Sequence, residues 1–165
     1  MSKSVLIVMG SGNDLPKVKP AIDTLKSLGI PVDATVASAH RSPARARDIA
    51  AGAREKGVAV IIAAAGGAHH LGGAMAANTT LPVIALPIGV GTLGGLDALL
   101  SAVQMPGGVP IASVGVDGAK NAALLAANII GAFDSSVALR LQAQRDSQAK
   151  AVEEADAKLQ EAVKG

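Results

Sequence analysis

Five short apolar runs, separated by turns and helix-spaced segments, restrict this chain to very few architectures. Ser4 to Met9 ends at Gly10 and has the near-continuous apolar character of a buried parallel strand. From Leu15, Val18, Ile22 and Leu25 recur at helical spacing until Gly29, so a helix follows directly. Val32 to Ala37 is the second strand, and Ser42-Pro43 is an N-cap and first-turn pair for a helix running to about Lys56, before Gly57. Val58 to Ala63 is the third strand and, after Gly66-Gly67, His69 to Asn78 has the small residues of a short helix. A strand at Val83 to Leu86, a Gly-rich passage to Gly95, a helix over Leu96 to Val103, a fifth strand at Pro110 to Val114 and an alanine-rich helix over Ala119 to Ala132 complete the alternation. The pattern predicts an α/β domain of three layers, doubly wound in the flavodoxin or Rossmann manner, with a mostly parallel sheet.

Residues 1–133 therefore form one domain, and 165 residues leave no room for a second of ordinary size. The tail, 134–165, is polar, with only Val137, Leu141, Val152, Leu159 and Val163 as a sparse apolar series. It is expected to be a long C-terminal helix that packs on a neighbouring subunit or frays toward Gly165. Phe133 is the only Phe, Tyr or Trp, so the core is built from Val, Ile, Leu and Ala, and single-stranded nucleic acid finds no stacking platform. The formal charge of +2 is spread along the chain, which excludes a polyanion-binding block but not a local anion pocket. With no cysteine there is neither a disulfide framework nor a thiolate site, in keeping with a cytoplasmic setting. The first apolar run is too short for a signal sequence, and Gly, Pro or His interrupts the longer ones, so no membrane span is expected.

A parallel sheet binds ligands beyond the carboxyl ends of its strands, which directs attention to three loops. The first, Gly10-Ser11-Gly12-Asn13-Asp14, lets backbone N–H groups approach an anion, with the Ser11 hydroxyl as a further donor; a turn with Asp14 capping the next helix is the competing reading. It lacks the Gly-Lys-Ser/Thr ending of a nucleotide-triphosphate loop and the full glycine spacing of a dinucleotide loop. In the second, Ser38-Ala39-His40-Arg41-Ser42-Pro43, a guanidinium suited to phosphate adjoins an imidazole suited to proton exchange near neutrality. The third, Gly66-Gly67-Ala68-His69-His70, carries adjacent histidines. Neighbouring helical residues point about 100° apart, so these do not readily chelate one ion, and no metal is expected.

With these loops assembled, the chain resembles the class I N5-carboxyaminoimidazole ribonucleotide mutases from Val5 to about Ile130. The resemblance is carried by Ser38-Ala39-His40-Arg41 with Pro43, Ala65-Gly66-Gly67-Ala68 leading to His70-Leu71, and Gly95-Leu96-Asp97. Gln104 through Pro110 and Gly118 through Ala127 extend it. Arg41 and the Gly-Gly-Ala-x-His-Leu pattern look like class I, not the class II enzymes that use carbon dioxide directly. Asn13, His69 and Gly72 stand where the family usually has Ser, Ala and Pro, and the segment from Ile88 to Gly94 lacks the family's polar Gln and Ser.

The resemblance implies that Ser11, Ser38 and Arg41 bind the ribonucleotide phosphate and Asp14 the ribose side, with Gly67 and Ala68 in the substrate pocket. It implies His40 as proton carrier and His70 as the second pocket histidine. The implied reaction moves a carboxylate from the exocyclic nitrogen of an aminoimidazole ribonucleotide to its ring carbon in purine biosynthesis, with no cofactor, in a homo-octamer. Two other readings stay open: a paralogue that carboxylates or decarboxylates another heteroaromatic ribonucleotide, and a noncatalytic nucleotide-binding or assembly protein.

Overall fold

In the computed structural model, which describes residues 3–164, five strands pair in parallel in the order β2-β1-β3-β4-β5. They are β1 (Ser4–Met9), β2 (Val32–Val36), β3 (Val58–Gly66), β4 (Val83–Ile88) and β5 (Ala112–Ser113). The helices are α1 (Leu15–Ser27), α2 (Pro43–Gly52), α3 (His70–Ala76), α4 (Leu96–Val103), α5 (Ala119–Gly131) and α6 (Ser135–Lys164). The doubly wound, three-layer expectation holds. Winding reverses between β1 and β3, which opens a crevice where their C-terminal loops diverge.

Residue alternation sorts the side chains into two layers. Val5, Ile7 and Met9 of β1, Val60, Ile62 and Ala64 of β3, and Ile84, Leu86 and Ile88 of β4 pack with α1 and α5. Val8, Ile61, Ala63 and Ala65 point the other way, to α2 and α3. A register shift between Ser4 and Val5, which pair with Val58 and Val60, turns Ala59 and Val60 toward the same layer and sets the parity for the rest of β3. On α5, Ala119, Ala122, Ala123, Ala126, Ala127 and Ile130 form the buried stripe; α4 buries only Ala98 and Ala102.

Several boundaries differ from expectation: β3 runs on to Gly66 and β4 to Ile88, and the third helix is shortened to His70–Ala76. The fifth strand shrinks to two residues at the sheet edge, because only Ile84 and Ala85 of β4 offer it partners. The helix expected to reach Lys56 ends at Gly52 and continues as turns, with Gly57 at φ 81 leading into β3. Ser42 occupies the N-cap of α2 without a side-chain capping bond, since its hydroxyl accepts from the Ser38 N–H at 2.9 Å and donates to the Ser38 carbonyl at 3.2 Å.

The C-terminal helix is present and starts under a cap from Asp134, whose carboxylate accepts from the N–H groups of Ser136 and Val137 at 3.0 and 3.3 Å. Val137 and Leu141 bury themselves in this chain's own α1–α5 layer, and Arg140 Nε donates to the Leu28 carbonyl at 2.6 Å. Past Gln144 every described residue is exposed. The first two turns of α6 thus belong to the domain. Fraying at Gly165 lies outside the described residues.

Candidate active site

The loops after β1, β2 and β3 meet around a cavity of about 500 Å3 at the reversal point of the sheet. It is lined by Ser11, Asp14, Ser38, His40, Arg41, Gly67 and Ala68, and also by Gly10, Asn13, Ala39, Ala65, Gly66, Leu71 and Val90. The volume is in the range of small-molecule sites. Seven of the eight residues singled out from the sequence line it; the eighth, His70, reaches it through His40.

Each loop is set by short-range bonding. Ser11 caps a single 3-10 turn (Gly12–Asp14), its Oγ accepting from the Asn13 N–H at 3.2 Å, so the hydroxyl proton is free to donate to an anion. Ser38 Oγ accepts from the Arg41 N–H at 3.1 Å, and Arg41 Nη2 donates to the Gly10 carbonyl at 3.3 Å, joining the first two loops. Gly10, Ser11, Ser38 and Arg41 also line an adjoining concavity with Gly12 and Ser42. One cation, two hydroxyls and a glycine-rich backbone make this concavity a cradle chemically suited to an anion such as phosphate.

Asp14 stands at the N-cap of α1, after a turn, as the competing reading of that loop had it, but its side chain makes no capping bond. Its side chain lies in the cavity wall and only 9% of the residue is exposed. Burial pushes its pKa above the ordinary carboxylate value, against the pull of the Ser11 backbone and the Lys17 charge.

The two neighbouring histidines diverge completely. His70 Nδ1 lies 2.7 Å from His40 Nε2, with the rings edge-on at 73°. One nitrogen must donate and the other accept, so this contact holds a single proton. His69 turns inward and is 1% exposed, its Nε2 3.0 Å from the Ala63 carbonyl and its backbone N–H donating to Ser101 Oγ at 2.8 Å. Burial lowers its pKa, keeping it neutral, and Nδ1 has no partner. Among the described residues no group of three or more His, Asp or Glu is placed to hold a metal.

The sequence drew attention to the segment from Ile88 to Gly94 but did not single out Val90 as a cavity residue. It stands over Gly66, where a Cβ would lie 2.3 Å from Val90 Cγ2, and so forms a wall from a loop distant in sequence. Ala39, Ala65, Leu71 and Val90 together supply an apolar surface beside the cradle, suited to an uncharged ring.

The family model for AIR carboxylase matches residues 4–151. The chain belongs to the AIR carboxylase family. The N5-carboxyaminoimidazole ribonucleotide mutase of Bacillus subtilis is 49% identical over 161 residues, covering 96% of this chain and 99% of that protein. That of Pyrococcus horikoshii is 48% identical over 155 residues, covering 94% and 88%. The crystal structure of Treponema denticola PurE superposes with a TM-score of 0.85 at 29% identity, covering 95% of this chain and 98% of that one. Within this AIR carboxylase family member, Asn13 lines the cavity, whereas His69 and Gly72 adjoin each other, a Cβ on Gly72 lying 3.1 Å from His69 Cε1.

Proposed function

We propose that the chain is an N5-carboxyaminoimidazole ribonucleotide mutase, converting that substrate to 4-carboxy-5-aminoimidazole ribonucleotide in purine biosynthesis. The observation that carries the reading is the His40–His70 pair, 2.7 Å apart, at a cavity that Ser11, Ser38 and Arg41 also line. The names and near-full coverage of the relatives support it.

Arg41, Ser11 and Ser38 hold the phosphate, Asp14 accepts from the ribose hydroxyls, and Gly67 and Ala68 border the base. His40 lends a proton to the exocyclic nitrogen as its bond to the carboxyl carbon breaks; the bonding electrons stay on nitrogen and carbon dioxide leaves. The ring carbon attacks the trapped carbon dioxide, and His40 takes back the proton released from that carbon. The proton is borrowed and returned, so the isomerisation balances without a co-reactant. Both steps suit an imidazole, and confinement replaces a bimolecular encounter. His70 orients His40 through their shared contact.

The unit is a homo-oligomer, an octamer by the family resemblance. Leu96, Leu100 and Val103 are each half-exposed along one face of α4, and Val152, Leu159 and Val163 are exposed on α6, apolar surface that a second copy of the chain would cover. A phosphorylated substrate does not cross membranes unaided, so the reading carries a cytoplasmic location.

The test is turnover of carboxylate-labelled N5-carboxyaminoimidazole ribonucleotide in excess unlabelled bicarbonate. Most label is expected at the ring carbon, and chelators should not slow the reaction. Complete washout would instead indicate direct carboxylation from solvent, and no turnover would favour the paralogue or noncatalytic readings.

A further inference from the structure

We infer that Lys17 and Asp117 are positioning residues that latch the loop between β4 and α4 over the cavity. Lys17, in the first turn of α1, donates to the Gly89 carbonyl and to Asp117 Oδ2, the latter at 2.8 Å. Asp117 Oδ1 accepts from the Gly89 N–H at 2.9 Å. Both backbone polar groups of one glycine therefore end on the two members of an ion pair, and three segments far apart in sequence close into a ring.

That glycine lies directly before the cavity wall, because Val90, the next residue, stands over Gly66. A Cβ on Gly89 would lie 2.9 Å from Asp117 Oδ2, so the latch requires the glycine. At the other end of the loop, a Cβ on Gly95 would lie 2.8 Å from the Gly89 Cα, so the two ends touch and form a neck. Gly91, Gly94 and Gly95 all have positive φ, and the bonds within the tip are short-range turns, the Gly94 N–H to the Gly91 carbonyl at 3.4 Å and the Leu96 N–H to the Leu93 carbonyl at 3.0 Å. The tip's orientation depends on the neck.

Asp117 is itself held in an uncommon conformation, φ 55, the one non-glycine with positive φ among the described residues. Its N–H is satisfied by the Pro87 carbonyl at 2.9 Å. Burial tends to raise its pKa, but the hydrogen bonds from Lys17 and Gly89 and the Lys17 charge outweigh this and hold it below the ordinary value. The pair is 39% and 41% exposed, and ion pairs that exposed add little to global stability. Its effect is local: it fixes the Gly89 peptide and hence Val90. The role in carbon dioxide retention rests on the mutase reading; the latch itself does not.

Two variants test it, Lys17→Met and Asp117→Asn. Asn tolerates positive φ and still accepts from Gly89, but loses the charge. In both, hydrogen exchange at Gly89 should quicken by about tenfold through easier opening of the neck, because Lys17→Met removes the bond to the Gly89 carbonyl and Asp117→Asn takes the charge from the bond that the Gly89 N–H makes, with exchange in β1 and β3 unchanged. Retention of labelled carboxylate should fall in both, more in Lys17→Met. Parent-like exchange in both variants would overturn the inference. So would parent-like label retention in Asp117→Asn alone, which would route Lys17 through Asp14 instead. If the parent shows no turnover the mutase reading fails, while the exchange measurement still decides the latch.

Discussion

His40 and His70, both exposed, meet through one ring nitrogen each, and that contact is the observation on which the proposed proton-carrier role of His40 rests. In His40→Asn, hydrogen bonding persists but proton exchange at neutral pH does not. Turnover should fall about 10²–10⁴-fold with unchanged circular dichroism; activity within about tenfold of the parent would remove His40 from the chemistry. Asp14 allows a prediction of opposite sign for stability. Its pKa is raised in the folded protein, so the stabilisation it contributes is present below the unfolded value of 3.8 and lost as pH rises through the folded pKa. Above its folded pKa it is ionised in a partly desolvated wall, and Asp14→Asn should raise Tm there while weakening substrate binding. The advantage should shrink as pH falls toward 3.8. His69 and Gly72 form a third residue-level case, because a Cβ at position 72 would lie 3.1 Å from His69 Cε1 and 3.2 Å from Ile111 Cδ1. Gly72→Pro should destabilise by about 1–3 kcal/mol from overpacking, and His69→Ala should recover part of that loss in the double variant, as read by urea denaturation.

At the scale of elements, the loops after β1 and β2 act together: Arg41 bonds to Gly10, and Ser38 bonds to Arg41. Arg41→Ala should weaken substrate binding by about 1.5–3 kcal/mol by calorimetry, the loss of a hydrogen bond to a charged group. A dephosphorylated substrate should bind the parent more weakly yet be nearly indifferent to the substitution; equal losses for both proteins would show that Arg41 does not anchor phosphate. These loops were legible because short apolar runs locate strand ends, and a parallel sheet gathers those ends on one side. The third loop was legible only in part. Residue types at positions 69 and 70 are identical, and what separates them is that β3 offers a carbonyl at Ala63 to one while His40 meets the other.

For the whole molecule, the division into domain and tail needs redrawing at α6. Val137, Leu141 and Arg140 tie its start to the domain that carries it, and the described residues past Gln144 are exposed. The exposed series Leu96, Leu100 and Val103 on α4 has the i, i+4, i+7 spacing of one helix face. Leu100→Asp should lower the assembly size measured by light scattering at micromolar concentration, with the monomer fold retained; a parent that is itself monomeric would defeat the oligomer proposal.

The sequence by itself determined the layer order and the identity of most cavity residues, because the period of apolar residues sets each element and strand ends set the loops. Tertiary structure alone decided that Ser42 serves Ser38 and not its own helix, that His69 is buried while His70 meets His40, and that Val90 closes over Gly66. It also decided that Lys17, Gly89 and Asp117 form one ring across 72 and 100 residues of chain. Contacts at such separations leave no periodic trace in the sequence. They arise only when the packed sheet brings the ends of β1 and β4 and the start of α5 to the same edge of the cavity.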